Sequence, residues 1–493
     1  MIWSSNMLLH EILENGKKGD VALVDSERRL TYDELKETVK SCRNKLYQIG
    51  IHQGDRVAIF ARNSIEFVCT YFAIISLGAI AVPINFQLSN REIAYIIKDA
   101  NIEHIFTYKP LELEGYKLNI NQHSIKEFVK IDKSVEDAPN LPDDFSDDNP
   151  CAIIYTSGTT GNPKGAVSSH HNLIKNVEAI KIIGCKPEHK ALCILPMYHC
   201  FGWVCSVLNP LYNGASIFIQ EVFILKEVVN IIKSEQITEL CVVPSICSLM
   251  VKLVKAEDIF SLRMVISAGS PLPIQTANDF ADKFGLTVSE GYGLTEASPI
   301  ITLNLAGRQK IGSTGQFIPE LEARFVDAEG KDVPHGQEGE LIIRGDNVML
   351  GYWNNPEATK EAIDEGKWLH TGDIAKIDED GYVYIVNRLK DMIISMGENI
   401  YPREIEELIY QFPNIKDAAV VGVEDSRRGQ VGICFYSTQD ESGIDVEELK
   451  RFLQKNLALY KIPREFHELE ELPRNPTGKI SKRRLIDEVV GNL

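Results

Sequence analysis

Residues 30–107 alternate between stretches with helical spacing (31–49, 64–77) and short apolar runs (56–60, 80–84). A strand that passes through a helix into the next strand of the same sheet runs parallel to it, so this alternation predicts an α/β layer with a parallel sheet. The uncharged stretch Val68 to Ile84 is seventeen residues long and contains Gly78 and Pro83. It falls short of a membrane span and reads as a buried helix followed by a core strand.

At 493 residues the chain exceeds what one hydrophobic core holds, so several domains are expected. After an acidic, proline-containing connector at 135–150, a second α/β run places strands near 152–156, 191–195, 215–219, 239–243 and 264–267. Beyond about residue 311, short strands at 323–326, 339–344 and 382–386 alternate with Gly, Pro and Asp turns, the pattern of a small β subdomain. The last hundred residues read as a strand at 392–395, a helix opening on Pro402, and strands at 418–423 and 431–436. Pro402 suits a first helical turn, where its missing N–H has no partner to lose. The expected class is α/β: a large N-terminal domain of two α/β subdomains and a small β subdomain (1–387), a junction at 388–391, and a small α+β C-terminal domain (392–493).

The formal charge of −18 argues against a broad cationic face for nucleic acid, so anionic substrates must be met by local basic residues. Ten cysteines lie scattered without C-x-x-C or zinc-like spacing, the usage of reduced thiols and core filler. Residues 1–16 lack a basic stretch followed by an apolar one and do not read as a signal peptide. A cytoplasmic protein with no transmembrane segment is the expectation.

The segment that carries most chemistry is YTSGTTGNPKG, Tyr155 to Gly165, placed after an apolar run. Thr156, Ser157, Thr159 and Thr160 bring hydroxyls, Gly158 lets the backbone curl its N–H groups toward one anion, and Lys164 adds a point charge. A phosphate fits such a loop. A plain surface turn explains flexibility but not this order of hydroxyls, glycines and lysine, and the spacing is not that of a Walker P-loop, because Pro163 stands five residues after Gly158.

This loop resembles the phosphate loop of the acyl-adenylate-forming superfamily of acyl-CoA synthetases, nonribosomal adenylation domains and firefly-type luciferases. Seven further segments recur in that superfamily's order. They are LPMYHCFGW (195–203), SAGSPLP (267–273), EGYGLTEAS (290–298), GELIIRGDNVMLGYW (339–353), WLHTGDIA (368–375), NRLKDMIISMGENIYPREIEE (387–407) and LPRNPTGKI (472–480).

The resemblance implies ATP, Mg2+ and coenzyme A as partners of a small carboxylic acid. Glu296 is expected to hold Mg2+, with a hydroxyl from Thr156 or Thr295. Ala268, Gly269, Glu290, Gly291, Tyr292 and Gly293 are expected around the nucleotide, Tyr292 stacking on adenine. Asp373 is expected to take the ribose hydroxyls with help from Arg388. Lys479 would bridge the acid's carboxylate and the α-phosphate. The C-terminal domain is then expected to swing about Lys390 and bring Gly397 to the thiol. Before Arg388 the superfamily commonly has Gly or Asp; here it is Asn387, which tolerates left-handed backbone nearly as glycine does.

His199, with Phe201 and Trp203, resembles the wall between acyl pocket and thiol tunnel, an aromatic there acting as a gate; a histidine satisfied at a packed helix start is the alternative reading. Gly202, Trp203 and Val204 stand where amino-acid-activating relatives usually place an Asp, which disfavours an amino acid. Val243, Pro244, Ala268 and Ile300 suggest an apolar acyl pocket, with Gly291 and Gly293 leaving room for an extended chain. A medium- or long-chain fatty acid is the favoured substrate, and an aryl acid the alternative. Only fourteen residues follow Lys479, so no fused carrier domain is expected, and there is no terminal S-K-L. The alternative acceptor is a separate acyl carrier protein; a non-catalytic binding scaffold would usually have lost one of these residues.

Overall fold

The computed structural model describes residues 7–156, 163–395, 398–425, 428–440, 442–474 and 479–489. Two large mixed sheets form the N-terminal part. The nine-stranded sheet runs in the order Gln316–Phe317, Ile300–Leu303, Ser289–Gly293, Met264–Ser267, Glu239–Val242, Lys190–Cys193, Ser216–Ile219, Val21–Val24, Arg29–Thr31. Its central strands are parallel, as the alternation predicts. The seven-stranded sheet runs Gly351–Tyr352, Lys164–Ser169, Pro150–Thr156, Ile80–Pro83, Arg56–Phe60, His104–Thr107, Asn121–Ser124.

The strands Arg56–Phe60, Ile80–Pro83 and His104–Thr107 run parallel as expected, and each large sheet also carries antiparallel strands. Lys164–Ser169 returns antiparallel to Pro150–Thr156, and Ile300–Leu303 returns antiparallel to Ser289–Gly293. Each pair is close in sequence, and a short connection joins only antiparallel neighbours.

Local signals set the helices. Tyr32–Gln48 starts at Thr31, whose hydroxyl accepts from the Glu34 N–H while the Glu34 carboxylate accepts from the Thr31 N–H at 2.8 Å, a reciprocal cap that satisfies two orphan donors. Ile65–Ser76 is buried along its whole length, which explains its mainly apolar sequence, and its one charge, Glu66, is paired with Arg28 at 2.6 Å. None of the described helices is long and apolar enough to cross a membrane. One core cluster unites residues of both large sheets, among them Ile59, Ala81, Leu192, Leu240 and Val265, so the two α/β halves share an interior.

A four-stranded antiparallel sheet follows, in the order Glu322–Val326, Gly339–Arg344, Leu369–Ile377, Val383–Arg388. The C-terminal part is α+β, with strands Ile393–Ser395, Glu398–Ile400, Ile415–Asp425, Gly429–Thr438 and Glu465–Glu468 and a helix Pro402–Tyr410 that begins on its proline. Asn387 lies within the strand Val383–Arg388 and pairs with Ile374. It is not among the left-handed residues. Here Asn387 needs no glycine-like freedom. The ten cysteines are free and buried.

His170 is fully buried, and its Nδ1 accepts the Leu9 N–H at 3.0 Å. It faces His10 edge-on, with ring centroids 6.3 Å apart. Burial pushes the His170 pKa far down, to about 3, and His10 adds to the effect. A histidine with a lowered folded-state pKa is neutral in the fold while the unfolded chain takes a proton below about 6.5. Stability is therefore lost as pH falls from about 6.5 toward that lower value. A His170→Asn variant keeps an acceptor but cannot titrate. The difference in unfolding free energy between wild type and variant, measured by urea denaturation, is expected to fall by up to about 1.4 kcal/mol per pH unit below 6.5. A difference that does not vary with pH contradicts this assignment.

Candidate active site

The expected site residues gather at the carboxyl ends of the parallel strands, where the loops of an open α/β sheet converge. Strand register holds the phosphate-loop stem: Thr156 pairs with Lys164 and Tyr155 with Gly165, and the Thr156 hydroxyl donates to the Lys164 carbonyl at 3.4 Å. Ser157, Gly158, Thr159 and Thr160 lie outside the described residues. The Lys164 ammonium stands over the Tyr352 ring, 5.3 Å from its centroid. The Tyr352 hydroxyl donates to Glu296 Oε1 at 2.8 Å.

Glu296 sits in the turn Thr295–Ala297, directly after the strand Ser289–Gly293. Its carbonyl accepts the Met349 N–H at 2.9 Å, so this turn is tied to the segment that carries Tyr352. The Thr295 hydroxyl lies 3.3 Å from Cys200 Sγ.

Lys479 arrives from the C-terminal part. Its Cε is 3.8 Å from where a Cβ on Gly269 would stand. Gly269 has φ +89°, a conformation that a side chain strains. His199 caps the helix Cys200–Trp203, its Nδ1 accepting the Phe201 N–H at 3.3 Å. Removal from water, then the nearby Lys479 charge, pushes the His199 pKa down to about 4, so its imidazole is neutral at ordinary pH. Burial raises the adjacent Cys200 thiol to about 11, with the Thr295 hydroxyl pulling it down, Glu296 pushing it up and Lys479 pulling it down. One thiol thus feels both Glu296 and Lys479. Cys200 thereby links the Lys164, Tyr352 and Glu296 group to the Lys479, Gly269 and His199 group.

Deeper in, the Tyr292 hydroxyl donates to Asp373 Oδ2 at 2.5 Å. Arg388 Nε lies 3.2 Å from Asp373 Oδ1. Asp373 is 2% exposed, so its charge is held by these two neighbours rather than by water. Glu290 is also buried. Burial pushes its carboxyl up to about 7, against the pull of the Arg403 charge and of the Leu272 N–H, which it accepts at 3.2 Å. Arg403, from the C-terminal helix Pro402–Tyr410, also donates to the Ile385 carbonyl of the preceding part of the chain. Lys390 lies in the short turn Leu389–Asp391, its side chain outside the description, and Gly397 is outside the described residues.

Two readings are corrected. A Cβ on Gly291 would come within 3.0 Å of the Leu303 side chain and 3.3 Å of the Thr302 carbonyl, and one on Gly293 within 1.9 Å of the Pro299 carbonyl. The space left by their missing side chains is filled by Pro299 and the returning strand Ile300–Leu303, so these glycines do not themselves make room for a substrate. Trp203 is 2% exposed and packs among Phe67, Tyr71 and Phe72, with centroids 4.3 to 6.1 Å away. It is core rather than a gate, and His199 has the helix-start geometry of the plainer reading. Tyr352, Cys200 and Arg403 had no assigned role. All three lie inside recurring segments, the only signal that could have marked them.

The description "AMP-binding enzyme" matches residues 12–353, and "AMP-binding enzyme C-terminal domain" matches residues 404–479. A feruloyl-CoA synthase from Amycolatopsis sp is 36% identical over 467 residues, covering 92% of each chain. The long-chain-fatty-acid--CoA ligase FadD13 of Mycobacterium tuberculosis is 33% identical over 468 residues, again 92% of each. Among solved structures, ATP-bound MatB from Rhodopseudomonas palustris superposes with TM-score 0.91 at 28% identity, covering 98% of this chain and 99% of that one. The anthranilate CoA ligase AuaEII in complex with anthranoyl-AMP gives TM-score 0.91 at 26% identity, covering 100% and 99%.

The Tyr292–Asp373 bond has a measurable worth. Tyr292→Phe removes one donor from a buried carboxylate and is expected to lower unfolding free energy by roughly 1.5–3 kcal/mol in urea denaturation. Arg388→Gln, whose guanidinium is half exposed, is expected to cost less. The reverse ranking would show that the salt bridge, not the hydroxyl, holds Asp373.

Proposed function

Because this chain belongs to the AMP-binding enzyme family and is an AMP-forming acyl-CoA synthetase, we propose that it activates a medium- or long-chain fatty acid and that Lys479, Lys164 and Glu296 carry the first step. The observation that supports this reading is the meeting of Lys479 with Gly269 and His199, beside a thiol, Cys200, that also feels Glu296 of the Lys164, Tyr352 and Glu296 group. In that step the substrate carboxylate attacks the α-phosphorus of ATP, the bond to the β-phosphate oxygen breaks, and pyrophosphate leaves. Negative charge grows on the α-phosphate oxygens, where the Lys479 ammonium would stabilise it. In the second step the CoA sulfur attacks the acyl carbonyl carbon and AMP leaves, its mixed-anhydride bond broken.

Glu296 fits a magnesium ion: Mg2+ takes hard oxygen ligands, usually one or two carboxylates together with substrate phosphates. Tyr352 engages Oε1 and so orients the carboxylate. When bound, the ion supplies neutralisation of phosphate charge. Thr295, one residue before Glu296, offers a hydroxyl nearby, whereas the Thr156 hydroxyl is turned to the Lys164 carbonyl.

For the acid, Val243 lies against Gly269 and Ala268 against Gly291, with buried Pro244, Cys247 and Ile300 nearby in sequence and fold. Apolar groups there suit a hydrophobic acid, and FadD13 is named for long-chain fatty acids. An aryl acid is the second reading, favoured by the 36% identity to a feruloyl-CoA synthase. A pyrophosphate-release screen with CoA across fatty, aryl and amino acids decides between them: the fatty-acid reading fails if ferulate or coumarate gives the higher kcat/KM.

Two variants test the site. Lys479→Ala is expected to lower adenylate formation by about 10²–10³-fold while leaving thioester formation from supplied acyl-adenylate near wild type; equal loss of both steps contradicts the division of labour. Tyr352→Phe is expected to raise the Mg2+ concentration for half-maximal adenylation by roughly tenfold. An unchanged Mg2+ dependence would remove Tyr352 from the site.

A further inference from the structure

At the opposite, amino-terminal edge of the nine-stranded sheet, three side chains of different chemistry point at one another. Cys185 lies in the turn before the strand Lys190–Cys193, His189 directly precedes that strand, and Glu239 opens the strand Glu239–Val242. Their sulfur, ring nitrogen and carboxylate oxygen all lie within 4.8 Å of one another, and His189 Nδ1 is 2.5 Å from Glu239 Oε1. Cys185 and Glu239 are buried, while the His189 side chain keeps 12% exposure and so leaves a path from solvent.

Glu239 is a buried carboxylate whose one ion pair among the described residues is with this histidine. The neighbouring Lys190 ammonium is directed instead to the Glu235 carbonyl. A second observation concerns Glu239 alone of the three. A cavity of about 10 Å³ is lined by Glu239 together with Cys205, Ser206 and Cys241. The Ser206 hydroxyl is 2% exposed and has no hydrogen-bond partner in the structure. A buried hydroxyl facing a space about the size of one water calls for a polar occupant.

We propose that Cys185, His189 and Glu239 bind a zinc ion, with a water molecule in the Ser206 cavity as fourth ligand. Zinc accepts sulfur, nitrogen and oxygen donors in a tetrahedron, whereas Mg2+ and Ca2+ take oxygen. Cys185 binds as the thiolate and its proton leaves to solvent. Thiolate and carboxylate then balance the charge of the ion, so the buried site is neutral overall. Bonds of about 2.0–2.3 Å set the ligand atoms of a tetrahedron roughly 3.3–3.8 Å apart. The three ligand atoms lie within 4.8 Å of one another; the His189–Glu239 separation of 2.5 Å is shorter than a tetrahedron needs, and a turn of the partly exposed His189 ring opens it. Two ligands on one turn and a third on a neighbouring strand clip that turn to the sheet edge, away from the nucleotide site. The ion is thus structural, and adenylation does not depend on it.

The test uses the full chain stripped with a chelator and then titrated with Zn2+ against a chromophoric zinc indicator, in excess Mg2+. Cd2+ serves as a second probe, because its thiolate charge-transfer band reports sulfur ligation. The expected result is one Zn2+ per chain and a higher melting temperature with Zn2+. Cys185→Ser and Glu239→Gln should each weaken affinity by roughly a hundredfold, with the Cd2+ band lost in Cys185→Ser and pyrophosphate release unchanged. Glu239→Gln keeps a hydrogen-bonding side chain of the same shape and serves if the serine variant does not fold. The proposal is overturned by binding well below one ion per chain, or by wild-type affinity and an intact Cd2+ band in the variants. Either result leaves the trio as a hydrogen-bonded network.

Discussion

The site depends on one long-range contact: the approach of Lys479, near the C-terminal end, to Gly269 on a loop of the nine-stranded sheet. The 3.8 Å gap would admit a methyl group, but the backbone would not, since φ of +89° at Gly269 is a region where a Cβ is strained. The glycine therefore sets the loop path, and the loop path sets where the ammonium stands. A neutral His199 beside it adds no positive charge to compete with the lysine. In the proposed reaction, losing this contact would remove the cation assigned to the charge that grows at the reacting phosphorus.

That contact is compatible with movement because of where the apolar surface lies. Residues of both large sheets share one core, so the N-terminal halves are bound together by hydrophobic burial. The C-terminal strands and helices have clusters of their own, built from residues such as Ile393, Ile405, Val420 and Leu453, and from Val421, Phe435 and Leu472. The contacts described across the junction include polar ones, among them Arg403 to the Ile385 carbonyl. Separating polar contacts lets water replace the lost hydrogen bonds, whereas separating a shared core would expose apolar area at about 25 cal/mol per Å². A rotation between the proposed half-reactions is thus affordable for this chain.

Much of this was legible in the sequence, and the failures share a cause. The strands Arg56–Phe60, Met264–Ser267 and Gly339–Arg344 announce themselves by apolar runs between turn residues. The strand Lys164–Ser169 does not, because KGAVSS has small and polar residues and owes its pairing to the hairpin stem. Lys479, Glu296 and Asp373 were named through their segments, and their neighbours in the fold include, in turn, Gly269, Tyr352 and Tyr292 with Arg388. Gly291, Gly293 and Trp203 were misread because sequence shows what a residue lacks or carries, but not what fills the space beside it; here a returning strand and three aromatic rings do. Tyr352 was passed over since nothing local in GYW says that its hydroxyl will meet a carboxylate fifty-six positions earlier.

An acidic chain that handles anionic ATP faces a general difficulty, with net charge −18 and Glu290, Glu296 and Asp373 lining or underlying the site. The cations that answer them come from separate stretches: Lys164 from the phosphate-loop stem, Arg388 from the junction, and Arg403 and Lys479 from the C-terminal part. Arg403 lowers the cost of the buried Glu290 carboxylate, and Lys479 faces the reacting region. Half of this positive charge is therefore present only while the C-terminal part is docked. A ligand shifts an equilibrium by its difference in affinity between the two states, so a polyphosphate favours the docked arrangement. In the proposed two-step reaction pyrophosphate carries much of that anionic charge away, so the preference for the docked arrangement would weaken before the second step.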